Sequence, residues 1–221
     1  MSAPRLLDLF CCEGGAGMGY HQAGFEVVGV DIEPRFAKRY PFEFHAADAI
    51  EFLVEHGHEF DVIHASPPCQ AYSVTRSLTT KDHPELVEPT RDALSVIGKP
   101  WVIENVPGAP LDDPLVLCGT EFHLRSPSGF WVRRHRLFES NVWLHGAGGC
   151  HCHGKTTAYT TGHPPAKTTK WKGWQMGRED SRAAFGAPWM SGDGLAQAIP
   201  PAYTRFIGEQ LIDHLAQERA A

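Results

Sequence analysis

The sequence predicts an open α/β sheet in which short buried strands alternate with helices. Two stretches of the sequence support this prediction. The apolar run 61–65 leads into two prolines, which cannot continue a hydrogen-bonded ladder, so the chain must leave the sheet there. The run Arg5–Phe10 leads into a glycine-rich turn and then into residues that favour a helix up to Ala23. Ligands of such sheets bind at the carboxyl ends of the strands, where Cys69 and the glycines lie.

Length and composition indicate one domain of a reduced, cytoplasmic protein. The chain has 221 residues, of which 42% are hydrophobic, enough for a core. No apolar run approaches the length that spans a membrane, and the first residues lack the apolar stretch of a signal peptide. The six cysteines form two near-adjacent pairs and two singles rather than a disulfide framework: Cys11, Cys12, Cys69, Cys118, Cys150 and Cys152.

Charge is distributed unevenly along the chain. The net charge is −6, yet the segment from Arg125 to Arg182 holds ten Lys or Arg against three Asp or Glu. The rest of the chain is therefore more acidic than the whole. A basic segment on an acidic body is expected if one face meets a polyanion such as a nucleic acid, although an ordinary solvated segment is the alternative.

The first strands predict a cradle for a nucleotide cofactor. The glycines of 14–19 let the backbone approach a ligand, and the following helix offers free N–H groups. Asp31 follows the strand Glu26–Val30, where a carboxylate can accept from both hydroxyls of a ribose; a helix cap is the alternative. A third strand, Glu43–Ala46, precedes Asp48, a position for a group that binds an adenine edge.

Further elements follow from the same patterns. Helices are predicted over Ile50–His56, Pro89–Ile97, Arg178–Phe185 and Ala202–Gln217, and a loop over the site at Ser73–His83.

Three groups are candidates for catalysis. Cys69 is held on a stiff loop, so it is a candidate nucleophile, with an inert buried thiol as the alternative. The strand Trp101–Ile103 repeats the pattern and aims Glu104 at the same sheet edge. The three arginines of Arg133–Arg136 suit an anion or an acceptor oxygen, or lie on a solvated strand edge.

Together these stretches resemble the DNA (cytosine-5)-methyltransferase family, whose members use S-adenosylmethionine. Several positions depart from the family pattern; for example, Ala65-Ser66 stands where two glycines are usual, and Val132 replaces a glutamine. The matching motifs occur in the family's order: Asp8-Leu9-Phe10 with the glycine turn, Pro67-Pro68-Cys69-Gln70, Glu104-Asn105-Val106, Arg134-His135-Arg136, the stretch from Arg178 to Pro188, and Ala198-Ile199-Pro200-Pro201.

The resemblance implies a doubly wound, mostly parallel, Rossmann-like sheet with a small basic insert. The catalytic core would cover 1–140, a short target-recognition insert 141–177, and a return to the core 178–221. It implies a DNA (cytosine-5-)-methyltransferase of the restriction-modification kind that binds double-stranded DNA, with no obligate protein partner. The same chemistry on RNA or on a free cytosine nucleotide, or a catalytically silent nucleic-acid-binding relative, stays open.

The resemblance also implies roles for individual residues. Catalysis falls to Cys69, Glu104, Arg134 and Arg136. Binding of S-adenosylmethionine falls to Phe10, Gly14, Gly15, Gly17, Asp31, Ile32, Asp48, Ala49 and Pro67. Binding of the substrate falls to Gln70, Ser73, Asn105, Lys170, Trp171, Lys172 and Trp174.

The stretch from Cys150 to His153 alternates cysteine and histidine, both of which are zinc ligands. Paired cysteines of structural zinc sites are usually two to four residues apart, whereas these are separated by one. Strand-like alternation would also place the cysteines and the histidines on opposite faces. The spacing therefore predicts a metal-free loop, and no residue is expected to bind a metal.

Overall fold

The computed structural model of this chain describes residues 2–72, 84–159 and 174–220. Its strands are β1 (Arg5–Leu9), β2 (Glu26–Asp31), β3 (Glu43–Ala46), β4 (Val62–Ala65), β5 (Trp101–Asn105), β6 (Leu115–Leu117), β7 (Trp131–Val132), β8 (Arg136–Ser140), β9 (Thr157–Tyr159) and β10 (Trp174–Gln175). Its α-helices are α1 (Gly15–Ala23), α2 (Ala49–His56), α3 (Val87–Ile97), α4 (Arg178–Phe185), α5 (Gly192–Gln197) and α6 (Pro201–Ala220), with 3₁₀ turns at Pro34–Lys38 and Gly57–Glu59.

Seven strands form one sheet in the order β3-β2-β1-β4-β5-β8-β6. The first five run parallel, and β8 pairs antiparallel with both β5 and β6. The mostly parallel sheet is thus confirmed. The strand order reverses between β1 and β4, which is the point where open α/β sheets bind their ligands.

Helices cover both faces of this sheet because successive strand residues point to opposite sides. Leu6 of β1 packs in a cluster with Tyr20 of α1 and Ile207 of α6. Leu7, the next residue, packs in a second cluster with Leu53 of α2 and Leu94 of α3. The sheet is therefore doubly wound, as predicted.

A second sheet of three short strands, in the order β10-β9-β7, is formed by residues of the basic segment. Residues of α4 pack under it, including Ala184 and Phe185, together with Val132 of β7 and Ala158 of β9. Because β7 precedes residue 141, this sheet crosses the predicted boundary of the insert. No helix in the described residues is both long and apolar enough to cross a membrane.

The predicted helices and strands are confirmed with small changes of bounds, whereas the loop predicted at Ser73–His83 lies outside the described residues. Strand β5 continues through Glu104 and Asn105, and α6 continues to Ala220. Helix α5 was not predicted, because its glycines disfavour a helix. It begins at the Ser191 cap, whose hydroxyl oxygen accepts from Gly194 N at 3.0 Å.

Candidate active site

A cavity of about 330 Å³ opens where the strand order reverses. Its wall is formed by the loops that follow β1, β2, β4 and β5, and by residues of α5 and the segment after it. This volume lies in the range of sites for small ligands. The wall includes these residues that the sequence predicted: Phe10, Gly15, Asp31, Ile32, Pro67, Cys69, Gln70, Glu104 and Arg136.

The loop that carries Cys69 is held against the end of β5. The buried amide of Asn105 donates from Nδ2 to the backbone oxygen of Pro67 at 3.0 Å. This contact joins the Cys69 loop to the Glu104 strand. The structure thus gives Asn105 a positioning contact, whereas its role in substrate binding stays a prediction.

Glu104 and Arg136 form a polar part of the cavity wall. The Oε1 of Glu104 lies 2.8 Å from Nε of Arg136. Burial raises the pKa of Glu104 above its usual range, and the charges of Arg136 and Arg134 oppose part of that rise. Glu104 can therefore hold a proton more readily than an exposed carboxyl group.

Arg134 lies behind this pair rather than on the cavity wall. Its Nη2 donates to the backbone oxygen of Ala196 at 2.7 Å, and its backbone oxygen accepts from the hydroxyl of Tyr203 at 2.6 Å. Burial and the neighbouring Arg136 lower the pKa of Arg134 to about 9. Arg134 therefore stays charged at neutral pH. It anchors the arginine segment, residues 133–136, to the C-terminal return.

Cys69 lies half-buried on the same wall. Burial and the negative charge of Glu104 raise the pKa of its thiol, while Arg136 and Arg134 lower it. The resting form is thus the thiol. A nucleophilic Cys69 needs a bound substrate to take up the charge as it forms.

A chain of hydrogen bonds that the sequence analysis missed reaches Glu104 from the core. Ser66 donates to Glu104, and Ser66 Oγ lies 2.8 Å from Nε2 of His64. The Nδ1 of His64 lies 3.0 Å from the hydroxyl of Tyr20. Burial lowers the pKa of His64 to about 3, so its ring is neutral, and the chain runs Tyr20 to His64 to Ser66 to Glu104. The one sign of this hydrogen-bond chain in the sequence was Ser66, which stands where the family usually has a glycine.

Another part of the cavity wall suits a nucleoside. Asp31 accepts from the backbone N–H groups of Cys12 and Glu33, each at 3.0 Å. These bonds aim the carboxylate and leave lone pairs for ribose hydroxyls. The neighbouring Ile32 is 69% exposed, so an apolar side chain is available to cover a base.

The glycines of the first turn serve packing as well as ligand approach. Gly14 caps α1 with a φ of 80°, and a Cβ on Gly15 would lie 2.5 Å from the backbone oxygen of Ile199. A Cβ on Gly17 would lie 2.7 Å from Oδ2 of Asp8. Within the described residues, Gly15 is on the cavity wall, and Gly14 and Gly17 are not.

Asp48 caps a helix in the structure. Its Oδ1 accepts from the backbone N–H groups of Ile50 and Glu51 at 2.9 and 3.0 Å, and Ala49 is buried behind it. Neither Asp48 nor Ala49 belongs to the wall of the cavity, as far as the described residues define it. Their predicted contact with a cofactor stays a prediction.

The first turn is tied to α5 by a contact that the sequence did not reveal. Buried Glu13 accepts from Ser191 through both oxygens, from the backbone N–H at 2.7 Å and from the hydroxyl at 2.6 Å. The indole of Trp189 donates to the Glu13 backbone oxygen at 2.8 Å. The C-terminal return is thereby held against the cavity.

The residues predicted to bind the substrate are only partly described. Gln70 is exposed on the cavity wall, and Trp174 lies in β10. Ser73, Lys170, Trp171 and Lys172 fall outside the described residues. Their roles stay predictions.

Comparison with known families identifies the part of the chain that builds this site. Residues 4–108 match the family model described as C-5 cytosine-specific DNA methylase. Over these residues the chain is similar to that family. The match covers β1 to β5, and therefore Cys69 and Glu104, whereas the arginine segment and the C-terminal return lie beyond it.

Two curated relatives match about half of the chain. The type II methyltransferase M.XorII of Xanthomonas oryzae pv. oryzae is 28% identical over 124 residues, which are 49% of this chain and 29% of that protein. The type II methyltransferase M.FnuDI of Fusobacterium nucleatum is 30% identical over 112 residues, which are 47% of this chain and 33% of that protein. The matched part thus spans about a third of each relative's length.

Two solved structures share the fold over nearly the whole chain. The Dnmt2 methyltransferase of S. pombe has a TM-score of 0.63 and 11% identity, covering 96% of this chain and 99% of that chain. The methyltransferase EhMeth of Entamoeba histolytica has a TM-score of 0.65 and 11% identity, covering 97% and 99%. At this identity the likeness concerns the methyltransferase fold alone.

Proposed function

We propose that this methylase domain transfers a methyl group from S-adenosylmethionine to C5 of cytosine in DNA. The observation that carries the proposal is the cavity itself. Its lining bears Cys69, Glu104 and Arg136 together with Asp31 and the apolar Ile32. A nucleophile, a proton-holding carboxyl group and a fixed cation thus share one space with a site for a nucleoside.

Each of these residue types matches one demand of the reaction. Carbon 5 of cytosine is a weak nucleophile, and addition of the Cys69 thiolate to C6 makes it reactive as an enamine carbon. Charge then develops at N3 and O2 of the base. The proton held on Glu104 would stabilise N3, and Arg136 would stabilise O2. Loss of the C5 proton and elimination of Cys69 complete the turnover.

The residues present fit S-adenosylmethionine, which supplies an electrophilic methyl group when bound. Asp31 would accept from the ribose hydroxyls, while Phe10 and Ile32 would cover the adenine. Asp8 Oδ1 is buried without a hydrogen-bond partner among the described residues and belongs to the cavity wall, so it offers an acceptor to a donor on the cofactor.

We infer that the target base must leave its helix to reach Cys69. Both faces of a stacked cytosine are covered by neighbouring bases, so attack at C6 requires that the base be flipped out. The wall of the cavity includes Gln70, which is exposed, and Val106, together with Cys69.

Replacement of Cys69 tests the covalent step. Cys69→Ser should reduce methyl transfer by at least about a thousandfold, because a hydroxyl is far less ionised than a thiol at neutral pH. Binding of S-adenosylmethionine, measured by calorimetry, should be nearly unchanged in the same variant. Wild-type protein should be trapped covalently on duplex DNA that carries 5-fluorocytosine. Substantial methylation by Cys69→Ser would refute the mechanism.

The choice of DNA over other substrates needs a direct comparison. Labelled S-adenosylmethionine should yield product with duplex DNA and little with tRNA or dCMP. A preference for tRNA or dCMP would leave the proposed reaction unchanged but show that its substrate is not DNA. Absence of product with all three, while S-adenosylmethionine still binds, would favour a silent nucleic-acid-binding relative.

A further inference from the structure

A group of three cysteines and one histidine lies outside the cavity. Cys118 follows β6 directly, His135 precedes β8 directly, and Cys150 and Cys152 lie in the loop that leads to β9. One ligand atom from each side chain lies within 4.8 Å of the ligand atoms of the other three. We call these four residues the Cys3His cluster.

We propose that the Cys3His cluster binds a structural zinc ion. Thiolate and imidazole are the preferred ligands of zinc, and closed sites with four protein ligands are structural. Zinc bonds of about 2.3 Å to sulfur and 2.0–2.1 Å to nitrogen place tetrahedral ligand atoms roughly 3.5–3.8 Å apart. Nε2 of His135 lies 3.3 Å from Sγ of Cys150 and 3.9 Å from Sγ of Cys152. The side chains thus already have the spacing that one such ion requires.

Hydrogen-bond donors surround the sulfur atoms, as they do around metal-bound thiolates. The backbone N–H of Cys152 points to Sγ of Cys150 at 3.4 Å, and the hydroxyl of Thr120 donates to Sγ of Cys118 at 3.5 Å. The oxygen of that hydroxyl accepts from the backbone N–H of His151 at 3.1 Å, which turns its proton towards the sulfur. This second layer favours charged sulfur and therefore a metal-bound state.

The fold explains why the local spacing was misleading. Cys150 and Cys152 contribute to the cluster, whereas the intervening His151 and the following His153 are exposed. The alternation predicted from the sequence is therefore present. The two remaining ligands come from other segments, and His135 lies 17 residues before Cys152. We accordingly replace the metal-free loop of the sequence analysis with a site built from three segments.

A single ion fits this geometry better than the alternatives. All six cysteines are free thiols in the structure, so the cluster holds no disulfide. The ligands of an iron–sulfur cluster bind different iron atoms, whereas these four atoms converge on one point. Four protein ligands also leave no open position for a reacting water, which makes the role structural rather than catalytic.

The ion would fix the segment that carries the two arginines. His135 stands between Arg134 and Arg136, and its backbone oxygen accepts from Nη1 of Arg136 at 2.9 Å. Cys150 and Cys152 lie within the basic segment, between β8 and β9. Zinc would therefore join the end of β6, the arginines at 133–136 and the loop between β8 and β9 at one point.

Metal analysis of the full chain tests the proposal. Protein without a histidine tag, purified under reducing conditions without chelator, should contain about one zinc ion per chain. Cys150→Ser and His135→Asn should each lower zinc content at least about tenfold after dialysis, because each removes a ligand. His151→Ala and His153→Ala, which change exposed neighbours of the same type, should keep their zinc.

Cys150 is exposed, so its serine variant should stay folded, which circular dichroism would check. Cobalt substitution adds a second readout, since wild type should show thiolate-to-cobalt charge-transfer absorption that weakens in Cys150→Ser. Wild-type protein with far less than one zinc per chain after exposure to zinc would overturn the proposal. So would equal zinc content in wild type, Cys150→Ser and His135→Asn, or a disulfide within the cluster. These measurements need neither S-adenosylmethionine nor nucleic acid, so they are independent of the proposed function.

Discussion

At the scale of single residues, the site depends on how burial sets the protonation of Glu104. Desolvation disfavours the carboxylate, while Arg136 at 2.8 Å and the hydroxyl of Ser66 favour it. Burial and these polar contacts shift the pKa of Glu104 in opposite directions, so Glu104 can both hold a proton and release it. A group of this kind can share a proton with a base nitrogen as charge develops there.

Glu104→Gln should lower the single-turnover rate of methyl transfer by about ten- to a hundredfold. The amide still hydrogen-bonds the edge of cytosine but cannot supply a proton to N3, and a hydrogen bond to a charged group contributes about 1.5–3 kcal/mol. Binding of DNA, measured by anisotropy, should change far less than the rate.

Glu139→Gln is the matched control for this substitution. Glu139 is also a buried carboxylate paired with an arginine, at 2.7 Å from Nε of Arg91, but it lies away from the cavity. Its loss should cost stability without changing the rate of methyl transfer in the folded protein. Equal rates for wild type and Glu104→Gln would assign Glu104 a different role.

Ser66→Ala should move the alkaline limb of the pH–rate profile to higher pH. The active form of Glu104 is protonated, so kcat/KM falls as pH rises through its pKa. The Ser66 hydroxyl stabilises the carboxylate and lowers that pKa; its removal should raise it further. Ser95→Ala, which removes an exposed hydroxyl bonded to the Arg91 backbone oxygen, should leave the profile unchanged. A shift to lower pH would contradict the assigned donor direction.

At the scale of elements, α1 and α6 pack with unusually close backbones. A Cβ on Gly19 would lie 2.1 Å from both the backbone oxygen of Pro201 and Oγ1 of Thr204. Thr204 Oγ1 in turn donates to the backbone oxygen of Ala16 at 2.8 Å. The glycine turn thus orients α1 by letting α6 approach, in addition to freeing space for a ligand.

Gly19→Ala should destabilise the fold by about 3 kcal/mol, at the upper end of the cost of overpacking. Helix propensity alone would make the alanine variant more stable by about 1 kcal/mol. A loss of stability therefore shows that the α1–α6 contact dominates. Gly146→Ala is the control, because its Cβ would meet only Leu115 Cδ1 at 3.6 Å, and it should change stability by about 0.5 kcal/mol or less. Urea unfolding measures both. A neutral or stabilising Gly19→Ala would show that the helices separate at little cost.

At the scale of the whole molecule, little of the chain is free to read DNA. Thirty-nine residues separate Phe138 from Arg178, which is marginal for a domain with its own core. Two stretches of this interval form β9, which pairs with β7, and β10, which pairs with β9. Few side chains therefore remain to reach base edges in a groove.

DNA methylated in vitro should show a short, relaxed target of about two to four base pairs, because each base pair read requires its own side-chain contact. Bisulfite sequencing of a mixed-sequence duplex after treatment with purified protein measures it. A strict motif of six or more base pairs would show that recognition lies elsewhere, in the Ser73–His83 loop or in a partner.

Binding to DNA should weaken steeply with salt. Lysines and arginines of the basic segment would contact phosphates, and each neutralised phosphate releases counterions. The slope of log affinity against log salt, measured by anisotropy, should be steep and similar for unrelated duplex sequences. An affinity independent of salt would exclude this electrostatic mode.

The sequence by itself determined the parallel strands of the sheet and the position of Cys69 and Glu104. Apolar runs of four to six residues, followed by prolines or glycines, are local signals, and parallel strands deliver their carboxyl ends to one edge. Where the prediction stopped short, as at the end of β5, the missing residues were polar side chains buried by the site itself, Glu104 and Asn105.

Only the tertiary structure decided the contacts between segments distant in sequence. Glu13 and Ser191 are 178 residues apart, and Tyr20 and His64 are 44 apart, so no local pattern links them. The Cys3His cluster shows the reason most directly. The alternation correctly separated Cys150 and Cys152 from His151, but Cys118 follows β6 and His135 precedes β8, and only the folded sheet brings these two to the cluster.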